Sequence, residues 1–141
     1  MSHQVSSHQV VKSKGGSLAT IERFEDIKAW RAARDLVSAV NRVSGRGKFE
    51  KDFGLRDQIR RASVSVMSNI AVGFERCSDR EFHRFLYIAK GSAGEVRSQL
   101  FVALDLGYVT SDEFDDLRAK SEEVAKALSG FIIYLAPKSP M

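Results

Sequence analysis

The residues in this chain best suited to chemistry are arginines, and the chemistry they suit is phosphate contact. Arg56 and Arg60 stand four apart on one expected helical face, with Arg61 beside them. Arg76, Arg80 and Arg84 follow at intervals of four across an expected connection between helices. Tyr87, Lys90 and Arg97 continue that series, and Arg31 and Arg34 add charge earlier in the chain. A guanidinium grips phosphate through two parallel donors, and neutralising phosphates releases counterions. An exposed Tyr87 would offer a ring on which a base can stack. No set of side chains resembling a base-reading code is visible, so recognition of shape and phosphate backbone is expected. The plainer reading is a solvated face laced by local ion pairs, such as Arg80 with Asp79 or Glu81.

A second set is uncharged or acidic. Ser65 and Asn69 sit beside the apolar stripe of one expected helix, and Ser92 and Glu95 sit similarly on the next. The functional reading is a buried polar site. The favoured reading is a polar network that fixes the register between helices. Glu95 is in a position to pair with Arg60 or Arg61 across the helices, which would withdraw those charges from a polyanion.

Catalysis finds little support. A di-iron bundle needs Glu-x-x-His pairs on two helices, and His83 has its glutamate, Glu81, two positions away. Cys77 has no histidine arranged around it by sequence and reads as a passive thiol, and no phosphate-binding glycine loop occurs. His3 and His8, in two copies of Ser-His-Gln-Val, are too weakly placed for a metal site. No enzyme activity, cofactor or metal is expected.

These residues need rigid elements, and the pattern supplies helices. Ile27, Trp30, Ala33, Leu36, Val37 and Val40 predict a first helix over about Glu25–Val43, broken by Ser44-Gly45-Arg46-Gly47. Leu55, Ile59, Ala62, Val66, Ile70 and Phe74 predict a second over about Phe53–Phe74, with Asp52 as N-cap. Ser78-Asp79-Arg80-Glu81 is a capping box opening a third, which carries Phe82, Leu86, Ala89, Ala93, Val96, Leu100 and Leu104 and stops at Gly107. Thr110-Ser111-Asp112-Glu113 is a second box, followed by Phe114, Leu117, Ser121, Val124, Leu128, Phe131 and Leu135 in heptad steps with one polar break. Short connections between long amphipathic helices imply an all-α, antiparallel up-down four-helix bundle. The small-residue run Gly91-Ser92-Ala93-Gly94 would allow close approach of another helix, within the bundle or between subunits. Phe101, Ile132 and Tyr134 fall outside the main stripes and suggest an oligomer interface.

The organisation expected is a disordered N-terminal tail over residues 1–21, a bundle over 22–136 and a C-terminal tail over 137–141. At 141 residues with one cysteine, the chain suits one domain in a reducing compartment without disulfide staples. No apolar run is long enough to span a membrane and no signal-peptide core is visible, so a cytoplasmic location is expected. Residues 1–104 hold 18 Lys/Arg against 11 Asp/Glu, whereas residues 105–141 hold 4 against 7. That asymmetry suits a polyanionic partner or head-to-tail contacts between subunits.

Four segments carry a family resemblance. They are Phe24-Glu25-Asp26-Ile27-Lys28-Ala29-Trp30; Phe53-Gly54-Leu55 with Gln58-Ile59-Arg60-Arg61-Ala62-Ser63-Val64-Ser65; Ser68-Asn69-Ile70-Ala71 with Gly73-Phe74; and Arg84-Phe85-Leu86-Tyr87-Ile88-Ala89 with Gly91-Ser92, Glu95, Gln99-Leu100 and Leu106-Gly107-Tyr108. Together they resemble the four-helix-bundle proteins encoded in intervening sequences of bacterial 23S ribosomal RNA genes. That superfamily includes the accessory variability determinant of diversity-generating retroelements. The resemblance covers about residues 22–135. It implies a bundle that assembles into a homopentameric barrel and, in the retroelement branch, binds nucleic acid and a reverse transcriptase without catalysis of its own. Met67 stands where the family usually has proline, and Val72 where it usually has glutamate, which makes this surface more basic. The expectation is an oligomeric RNA- or DNA-binding accessory protein. Two alternatives stand beside it: an adaptor that docks a reverse transcriptase, and a structural bundle that binds no nucleic acid.

Overall fold

A computed structural model describes residues 9–12 and 18–135. Strands β1 (Gln9–Lys12) and β2 (Leu18–Ile21) form an antiparallel pair with Gln9 opposite Ile21. A 3-10 turn at Phe24–Asp26 leads into α1 (Lys28–Ser44), a short α2 (Gly47–Lys51), α3 (Phe53–Glu75), α4 (Asp79–Asp105) and α5 (Ser111–Tyr134). The four long helices form an all-helical bundle. Helix α3 packs on α1 and α4, and α5 packs on α4 and α1. Each neighbour runs antiparallel, so the connections alternate between two ends. One end holds the start of α1, the α3–α4 connection and the end of α5. The other holds the end of α1, α2, the start of α3 and the α4–α5 connection.

The apolar stripes read from periodicity meet in one core. Leu36, Val40, Ile59, Val66, Ile70, Phe74, Phe82, Leu86, Val96, Leu100 and Leu128 are fully buried. Burying each such side chain contributes about 1.5–3 kcal/mol before chain entropy is charged against it. Phe74, Phe82 and Phe131 stack edge to face, with centroids 5.7 and 5.2 Å apart. The polar break in the α5 heptads, Ser121, is buried and donates to the Ala93 carbonyl at 3.1 Å, so its hydroxyl is satisfied.

Several expectations change. The first helix starts at Lys28, not Glu25, because Ile27 is extended and Phe24 turns back to meet Trp30 edge to face at 5.2 Å. The expected break after Ser44 contains α2, one turn that buries Phe49 against Tyr108, too short to show a period. Ile132 is buried rather than outward; Ile133 is the exposed residue, at 67%. Within the tail expected to be disordered, the described residues pair as β1 and β2, and Ile21 packs against the helical core. The rest of that tail, including His3 and His8, and residues 136–141 lie outside the described residues.

The α3–α4 seam is the tightest. A Cβ on Gly73 would lie 2.6 Å from the Cβ of Phe85, closer than carbon atoms tolerate. Gly91 and Gly94 behave oppositely: a Cβ there meets nothing within 4 Å, so no close approach inside the bundle requires glycine at those two positions.

Candidate nucleic-acid interface

The arginines predicted as one patch divide between the two ends. Arg56 on α3 and Arg76 at its C-cap are twenty residues apart, about 30 Å at the helical rise.

At the end holding α2, Arg56 and Arg60 are engaged in contacts of the fold. Arg56 pairs with Asp57 at 3.0 Å, donates to the Glu50 carbonyl at 3.0 Å and covers the Phe53 ring at 4.8 Å. Arg60 donates through Nε to the buried Ser44 hydroxyl at 2.8 Å and lies against Gly45, where a cation suits the C-terminus of α1. These contacts already occupy part of each guanidinium, which a polyanion would have to share or displace. Arg61 is exposed and has no partner among the described residues.

At the other end the guanidiniums face solvent. The α3–α4 connection is short: Cys77 takes a left-handed φ of 57°, and Ser78 caps α4 by accepting from the Glu81 amide at 3.3 Å. This places Arg76, the residue that caps the end of α3, beside Arg84, on the second turn of α4. Both reach one oxygen of Glu81 at 3.4 Å, and both lie over the ring of Phe85, at 5.0 and 4.6 Å. Their side chains stay 52% and 57% exposed. Arg80 is exposed without a partner among the described residues, so the expected pairing with Asp79 or Glu81 does not form. Arg31 donates to the Glu25 carbonyl at 3.1 Å and Arg34 lies over Trp30 at 5.9 Å, both exposed at the same end.

Tyr87 is 55% exposed and meets His83 edge to face at 5.2 Å, leaving ring area free to stack. Lys90 is exposed without a partner among the described residues. Arg97 is half-buried and lines a shallow cleft of about 550 Å³ with Glu122, Glu123 and Lys126 of α5. Those carboxylates would repel phosphate, which separates Arg97 from the other candidates.

Three of the four polar residues bond to one another, and Glu95 stands apart from them, exposed. The Ser65 and Ser92 hydroxyls bond across the α3–α4 seam at 2.9 Å, and Asn69 donates to the Ser65 carbonyl and hydroxyl at 2.8 and 2.9 Å. Glu95 accepts from Gln99 at 3.3 Å, and Gln99 also donates to Gln58 at 3.4 Å. The expected pairing of Glu95 with Arg60 or Arg61 does not form, since Arg60 turns toward α1. Val64 and Val72 on α3, and Ile88 and Val102 on α4, are exposed.

Charge is distributed unevenly. Residues 21–135 hold 19 Lys/Arg against 18 Asp/Glu, so most of the chain's basic excess comes from Lys12, Lys14 and Lys138. Within the bundle the acids concentrate on α5, with Asp112, Asp115, Asp116, Glu122 and Glu123 all exposed. Two residues central to the exposed cluster escaped the sequence reading, Phe85 as the shared platform and Glu81 as the shared acceptor. The signal was present: Glu81 lies five after Arg76 and three before Arg84. Among the described residues no group of three or more His, Cys, Asp or Glu is placed to hold a metal ion. No described helix is long and apolar enough to cross a membrane.

The fold and this site define a helical-bundle protein whose α3–α4 corner exposes Arg76, Arg80 and Arg84 among Glu75, Asp79 and Glu81. The chain belongs to the 23S rRNA-intervening sequence protein family, whose profile matches residues 25–130. Among solved structures, it is similar to a protein of unknown function from the S23 ribosomal protein family of Bacteroides thetaiotaomicron. That match has a TM-score of 0.68 and 24% identity, covering 74% of this chain and 95% of that one. At that identity the likeness speaks for the fold alone. No curated protein matches.

Proposed function

We propose that this protein is a non-enzymatic, self-associating accessory factor that binds RNA through phosphate contacts at the α3–α4 corner. The observation that carries the reading is the exposed pair Arg76 and Arg84 over the Phe85 ring, with exposed Arg80 four residues before Arg84 and exposed Tyr87 three residues after it on α4. Stacked guanidiniums lose little freedom on binding and keep their outer donors for phosphate oxygens. The test is a titration of nuclease-treated protein into labelled structured RNA and duplex DNA across a salt series. Binding that weakens steeply with salt, and is lost in the triple variant Arg76→Glu, Arg80→Glu, Arg84→Glu but retained in Arg56→Ala, supports the reading. Absence of binding at low salt overturns it in favour of a structural bundle.

A second reading concerns protein contacts, and the exposed α3–α4 face favours it. Val72, Ile88 and Val102 are exposed on the two helices that carry the uncharged Ser65–Asn69–Ser92 bonds, a composition that suits an interface centre better than a solvated face. Self-association there accords with the homopentameric barrel that the family resemblance implies. The same face would serve an adaptor that docks the reverse transcriptase of a diversity-generating retroelement. Light scattering on the wild type and on Val72→Glu with Ile88→Glu tests it. A discrete oligomer that dissociates in the double variant supports self-association, and an unchanged monomer overturns it.

A further inference from the structure

Helices α4 and α5 open on the same capping signature, yet their glutamates do different things. At α5 the Thr110 side chain accepts from the Glu113 amide at 3.1 Å, and the Glu113 carboxylate returns to the Thr110 amide at 2.9 Å. At α4 the Ser78 hydroxyl accepts from the Glu81 amide, but the Glu81 carboxylate is turned outward to Arg76 and Arg84. The Ser78 amide has no partner among the described residues. One carboxylate oxygen, 3.4 Å from guanidiniums on two helices, therefore sits where an anionic oxygen from outside would sit. The two bonds are long and exposed, and such pairs are weak. An alternative acceptor role, closing the cap, waits within the same turn.

We propose that Arg76 and Arg84 form a phosphate-docking site whose place Glu81 holds in the free protein, and that an incoming phosphate displaces Glu81 onto the Ser78 amide. This rests on the RNA-binding reading above and specifies which contact is gated. A phosphodiester brings two anionic oxygens to two guanidiniums, whereas Glu81 offers them one shared oxygen, so the exchange improves the geometry at the arginines. It also completes the capping box and puts a negative charge at the N-terminus of α4. Part of the repulsion between Glu81 and the arriving polyanion is relieved by that movement. In the free protein the carboxylate keeps the two arginines apart and in place, so the site is ordered before ligand arrives.

The experiment compares Glu81→Gln with Asp79→Asn, each in full-length protein and each titrated with the same labelled structured RNA. Both remove one negative charge from the first turn of α4, but Asp79 has no contact with either arginine among the described residues. Glutamine retains the ability to close the cap. Glu81→Gln is expected to tighten binding about three- to tenfold, the worth of two weak ion pairs no longer displaced. Asp79→Asn should give less than half that factor, and the extra gain should vanish in an Arg76→Ala, Arg84→Ala background. In the wild type, amide exchange at Ser78 read by NMR should slow when RNA is added. Equal tightening by the two variants overturns the gating role and leaves the RNA reading standing. An unchanged Ser78 amide in the RNA complex overturns the displacement onto the cap. If no variant binds RNA at low salt, this proposal and the RNA reading fall together.

Discussion

Two connections reverse the chain at opposite ends of the bundle, α3–α4 and α4–α5. Each has a left-handed residue after one helix, a hydroxyl N-cap before the next, and a glutamate three residues into it. After α4 the left-handed residue is Gly107, with φ 74°, and the amides of Gly107 and Tyr108 return to the carbonyls of Leu104 and Ala103. After α3 it is Cys77, whose side chain makes the conformation costly; its amide returns to Phe74, but that of Ser78 has no partner among the described residues. Glu113 closes its cap and pairs with Arg46, and Tyr108 donates to Asp52 at 2.9 Å. Glu81 leaves its cap half-made. One connection spends its polar groups on the fold. The other keeps them at the surface, beside Arg76, Arg80 and Arg84. Local rules broken without a structural return are expected where a surface serves something else.

This contrast can be broken at its tightest point first. Gly73→Ala should cost about 1–3 kcal/mol, because the new methyl must push Phe85 away or part α3 from α4. Calorimetry should show the loss, and RNA affinity should fall as Phe85 shifts under its arginines. A variant as stable as wild type would mean that the seam yields freely. The left-handed residues come next. Gly107→Ala should cost about 1–2 kcal/mol, and Cys77→Gly should gain up to about 1 kcal/mol, both read by chemical denaturation. If both changes destabilise, Cys77 is held by more than its turn.

The caps sharpen the comparison at smaller scale. Thr110→Ala should cost about 1 kcal/mol and Ser78→Ala about half as much, since only the first dismantles a reciprocal pair. Equal losses would show that the outward Glu81 does not weaken its cap. The smallest effect is one of pH. The Thr110 amide foremost, and Arg46 after it, hold the Glu113 carboxyl below the ordinary glutamate value of 4.5. A carboxyl lowered in the folded state stabilises it fully above the unfolded value, and that contribution is lost as pH falls through the folded value. Glu113→Gln should therefore flatten part of the stability decline below pH 4.5, measured by urea midpoints across acid pH. An unchanged acid profile would remove Glu113 from the account of this connection.

The four long helices, their caps at Asp52, Ser78 and Thr110 and their stop at Gly107 were legible because each is a local matter. Apolar spacing states which face is buried, and a cap needs only neighbours within one turn. The Ser65–Asn69–Ser92 network was legible for a related reason, since small polar residues beside an apolar stripe have few places to go. The 3-10 start before α1 and the single turn of α2 were not, because each depends on one aromatic contact rather than a repeated pattern. The basic residues were the least legible. Their spacing identified them as a group, but not which were spoken for. Arg60 is consumed by Ser44, sixteen residues away, and Arg46 by Glu113, sixty-seven away. Arg76 and Arg84 converge only because α3 and α4 pack closely at Gly73. A side chain's type and period follow from the chain itself. Whether its charge is free depends on what the folded backbone brings within a few ångströms of it, and only the tertiary structure decided that.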